Sequence, residues 1–83
     1  MTKGEMNLRS AVAGFALEHG LLDKAVWTNT GLKIEFVEPL RPGMNRRFMR
    51  CTVHFLDVQR CDRVMMDLLK VQWKKAWMKV PTA

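Results

Sequence analysis

The residues of this 83-residue chain whose grouping could do chemistry are its arginines and lysines, and the chemistry is the neutralisation of an anion. Arg41, Arg46, Arg47 and Arg50 fall between Pro39 and Arg50, a stretch without an acid. Lys70, Lys74, Lys75 and Lys79 fall between Lys70 and Lys79, again without one. These two stretches hold eight of the 14 basic residues and none of the eight acids, so a chain of net charge +6 is net −2 outside them. Aromatic residues stand among the cations. Trp73 and Trp77 share a helical side with Met66, beside Arg63, Lys70 and Lys74, and Phe48 stands among the arginines. Guanidinium and ammonium groups take phosphate oxygens, and rings stack on unpaired bases. An exposed Trp and Met ridge with a basic rim equally suits an acidic protein surface. A basic surface serving solubility alone is the plain alternative.

Other chemistries assemble poorly. Cys51, His54 and Cys61, with His19, are zinc-type ligands, but Cys51 and His54 are three apart in an expected strand and point to opposite faces. The two cysteines read as reduced, inert thiols. His54 beside Arg50 and Thr52 is the one candidate general base. The spacing yields no Ser-His-acid set, phosphate-cradling glycine loop or carboxylate pair, so the expectation is a non-enzyme without cofactor or metal. No apolar run is long enough to span a membrane, and the first residues lack the apolar core of a signal peptide, which points to a cytoplasmic protein.

The elements that must position these groups follow from periodicity. Asn7 is placed to cap a helix in which Leu8, Ala11, Val12, Phe15 and Ala16 repeat at helical spacing, ended by Gly20 with Leu21 folding back onto Ala16 or Leu17. Lys24 to Thr28 and Leu32 to Val37 flank Asn29-Thr30-Gly31 and read as a hairpin. In its second run Leu32, Ile34 and Phe36 alternate with Lys33 and Glu35, giving one buried and one wet face. Pro39, Pro42, Gly43 and Asn45 mark a loop, and Arg47 to Leu56 alternates as a third strand. From Asp57, an N-cap candidate, to Lys79 the chain reads as one long helix. In it Cys61, Val64, Met65, Leu68 and Leu69 form the expected core stripe, and Met66, Trp73 and Trp77 the expected surface stripe.

The whole is an α+β fold of order α-β-β-β-α, a single domain over 1–83 with 1–6 and 80–83 frayed. Two helices pack on one face of an antiparallel three-stranded sheet. That order is similar to the one of double-stranded-RNA-binding domains. Their lysine cluster at the start of the last helix has no counterpart between Asp57 and Asp62, where Arg60 is the one cation, so the similarity is one of topology alone.

Two functions fit. In the first, the chain is a small basic DNA- or RNA-binding module using Arg41, Arg46, Arg47, Arg50, Arg63, Lys70 and Lys74 on phosphates and Trp73, Trp77 or Phe48 on bases. In the second, it is a protein-binding or inhibitory accessory factor, of a kind that suits a phage or plasmid, docking on an acidic partner protein. An edge strand such as Lys24 to Thr28 would permit a homodimer.

Overall fold

A computed structural model describes residues 1–43 and 45–82. Helix α1 (Lys3–His19) leads into strands β1 (Leu22–Trp27), β2 (Gly31–Val37) and β3 (Phe48–His54), then into a short helix α2 (Phe55–Gln59) and helix α3 (Arg63–Met78). The strands form an antiparallel meander in the order β1-β2-β3, with Ile34 opposite both Ala25 and Cys51. The α+β architecture, the meander and the helices on one face agree with the sequence reading.

Local chemistry explains the boundaries. Thr2, not Asn7, caps α1: its hydroxyl accepts the Glu5 N–H at 3.1 Å. Asn7 lies inside the helix and donates its side-chain amide to the Cys61 carbonyl at 2.8 Å. Gly20 ends α1 at φ 65°, and Leu21 N–H returns to the Ala16 carbonyl at 2.8 Å, the expected Schellman end. Residues 3–6, expected to fray, are helical because Gly4 lies flat against the chain at Val58 and Gln59. Any Cβ there would collide with the Val58 carbonyl oxygen.

One expectation fails outright. The long helix from Asp57 is two helices, separated at Arg60–Asp62. His54 caps the first, its Nδ1 accepting the Leu56 N–H at 3.3 Å, and Asp62 caps the second, accepting the Met65 N–H at 2.9 Å. Asp57 caps neither and sits in the first turn of α2.

The break decides which face of α3 is buried. Trp73 and Trp77 are 4% and 8% exposed, whereas Val64 and Leu68, expected in the core, are 66% and 57% exposed. Trp73 packs against the rings of Phe15, at 5.7 Å, and Phe36, at 5.3 Å, which themselves lie 4.7 Å apart. Two indoles bury far more apolar area than a valine and a leucine, so the chain turns them inward. Cys61 is buried too, but from the linker and not from the helix. Asn7 meets Cys61, Gly14 meets the Lys70 side chain and Phe15 meets Trp73, so α1 and α3 run side by side in the same direction.

The inner face of the sheet, with Leu32, Ile34, Phe36, Met49 and Val53, closes this core. Cys51 is half-buried and Cys61 buried, and burial pushes both thiols up.

Candidate nucleic-acid interface

Glu38 and Arg47 form the neck of the loop between β2 and β3. The Glu38 carboxylate accepts the Arg47 backbone N–H at 2.9 Å and both arms of its guanidinium at 3.1 Å, and Glu38 N–H donates to the Arg47 carbonyl at 2.9 Å. This bidentate grip holds the Glu38 carboxyl below the usual carboxylate range. On its other side the Arg47 guanidinium lies 4.7 Å above the Trp77 ring. Arg47 thus clamps the loop to the last turns of α3 and is itself mostly spent in doing so.

The clamp brings the two acid-free stretches to one end of the molecule. Lys74 sits one turn before Trp77, and Lys75 and Lys79 follow on the exposed side of the same turns. Arg41 and Arg46 project from the loop, which carries a groove of about 610 Å³ along Leu40, Arg41, Pro42, Gly43 and Asn45. Among the described residues, no carboxylate lies within ion-pair distance of Arg41, Arg46, Lys74, Lys75 or Lys79.

The remaining expected site residues lie elsewhere. Arg50 is on the open face of the sheet, donating to Glu35 at 2.7 Å and covering Phe48 at 4.8 Å. That hydrogen bond lowers the Glu35 pKa. Arg63 is at the far end, in the first turn of α3, and Lys70 is half-buried against α1 at Gly14. Trp73 and Trp77 are core residues and present no ring to a base, which corrects their expected stacking role.

Sequence reasoning overlooked one exposed aromatic pair. Trp27 stacks on Phe55 at 5.7 Å and 13°, each over a third exposed, at the end of the molecule away from the arginine loop. Strand alternation places Trp27 with Leu32 and Val53 on the packed face, and nothing in that alternation tells that the face ends there.

Compared with protein-family models, curated proteins and solved structures, the chain matches none of them. No helix among the described residues is long and apolar enough to cross a membrane.

Proposed function

We propose that the chain is a small polyanion-binding module that holds the phosphate backbone of DNA or RNA at its basic end. Arg41 and Arg46 from the loop and Lys74, Lys75 and Lys79 from α3 supply the contacts. The observation that carries this reading is the Arg47 contact with Trp77, which gathers two separately basic stretches into one patch. Arg47 acts as a positioning residue: its charge is already shared with Glu38. With Trp73 and Trp77 buried, the Trp27–Phe55 pair distant and Phe48 covered by Arg50 on the open sheet face, the contacts favour phosphates over bases, and binding is expected to be indifferent to sequence.

Binding of end-labelled single-stranded and duplex DNA and RNA, followed by anisotropy at several salt concentrations, tests the proposal. Five phosphate contacts on duplex DNA give a log–log salt slope of roughly −4.5, or about a 500-fold loss between about 50 and 200 mM salt. Arg41→Ala with Arg46→Ala is expected to flatten the slope by roughly 1.8. Absence of binding to all four polymers, or an unchanged slope in that variant, overturns the reading and favours an acidic protein as the partner.

A further inference from the structure

The outward face of α3 carries a feature that phosphate binding leaves unused. Val64, Leu68 and Val71, all more than half exposed, and Met78, three-quarters exposed, fall with Lys75 at spacings of four, three, four and three residues. That is the seam of a coiled coil, lying diametrically opposite the side that buries Trp73. We propose that this seam docks against the same seam of a second copy of this chain, with the two α3 helices antiparallel.

The charges beside the seam select both the occupant and the direction. Asp67 and Lys74 are exposed and lie seven residues apart on the same flank. In antiparallel pairing Leu68 meets Val71 of the second copy, and Val64 meets the aliphatic stem of Lys75, whose ammonium reaches water. Asp67 of each copy then faces Lys74 of the other, and the helix dipoles oppose head to tail. Parallel pairing would instead set Lys75 on Lys75 in the seam and Lys74 against Lys79 on both flanks, six cations brought together with no acid between them. A self-complementary arrangement of this kind is what a two-fold axis requires.

Sedimentation equilibrium of the full chain without nucleic acid, up to about 1 mM, is expected to show the mass rising from 9.7 kDa towards twice that value. Leu68→Glu with Val71→Glu, at exposed positions, is expected to leave the circular dichroism unchanged and the mass at one chain. Asp67→Lys alone and Lys74→Asp alone are each expected to stay monomeric, because like charges then meet. An equimolar mixture of those two variants restores opposite charges at both contacts and is expected to give a dimer containing one of each. A wild-type chain that stays at 9.7 kDa overturns the proposal and leaves the seam to another protein. So does a dimer that survives the Leu68/Val71 variant, or a mixture that fails to associate. None of these readouts depends on whether the basic end binds nucleic acid.

Discussion

The two faces of α3 are both apolar, yet one is core and the other is surface. The inner face holds Trp73 and Trp77, with Met65, Met66 and Leu69 half-covered, and reaches the rings of Phe15 and Phe36. The outer face holds Val64, Leu68, Val71 and Met78 and leaves all four exposed. The difference teaches that burial follows the area each side chain can remove from water and the rings it can meet, not the mere presence of an apolar stripe.

Substitutions on the two faces are expected to separate sharply. Trp73→Ala removes the ring packed on both Phe15 and Phe36 and is expected to cost about 3–5 kcal/mol in urea unfolding, enough to leave a domain of this size largely unfolded. Leu68→Ala on the outer face, at a concentration where the chain is monomeric, is expected to stay within about 0.5 kcal/mol. Equal costs would mean that the outer face is covered in the monomer. Gly4→Ala probes the inner packing from the other side. Its Cβ meets backbone at Val58 and Gln59, which cannot step aside as a side chain can, so a loss of roughly 1–3 kcal/mol is expected. Arg47→Ala should cost less, about 1 kcal/mol, but weaken binding at the basic end beyond the loss of one charge, since the loop is then no longer fixed to Trp77. A binding loss no larger than that of Arg46→Ala would reduce Arg47 to an ordinary contact.

Acidification gives the smallest and most local effect. The Glu38 pKa is lowered on folding, so the clamp's contribution is fully present above the ordinary carboxylate pKa and is lost as pH falls through the lowered value. The stability difference between wild type and Glu38→Gln is therefore expected to hold at neutral pH and to shrink only below about pH 4. A difference that persists in acid would place the effect in packing and not in the ion pair.

Much of the fold was legible because alternation and turn chemistry are local. Leu32, Ile34 and Phe36 declared the inner face of β2, and Gly20 with Leu21 declared the end of α1. The faces of α3 were not legible, for a specific reason. Cys61 is buried from an irregular linker, and counting it as helical drew Val64 and Leu68 into its stripe. Asp62 carried the correcting signal, an N-cap side chain two residues before Val64, but Asp57 offered the same chemistry earlier in the chain. Of the expected site, the cations were legible as a charge pattern. Their sorting into the gathered end, the Arg50–Glu35 pair on the open sheet face and the half-buried Lys70 depended on contacts between distant parts of the chain.

The pairing of α1 with α3 also sets an order of events during synthesis. Asn7 and Cys61, 54 residues apart, must meet for the two helices to dock, whereas each strand needs only its neighbour in sequence. A ribosome adding about 5–20 residues per second takes roughly 3–11 s between completing His19 and completing Trp73. Until then Phe15, and Phe36 once it is made, lack the indole that shields them. The nascent chain therefore carries an uncovered sheet and an unpartnered first helix until α3 emerges, and the risk of misassembly falls on translation rather than on the finished fold.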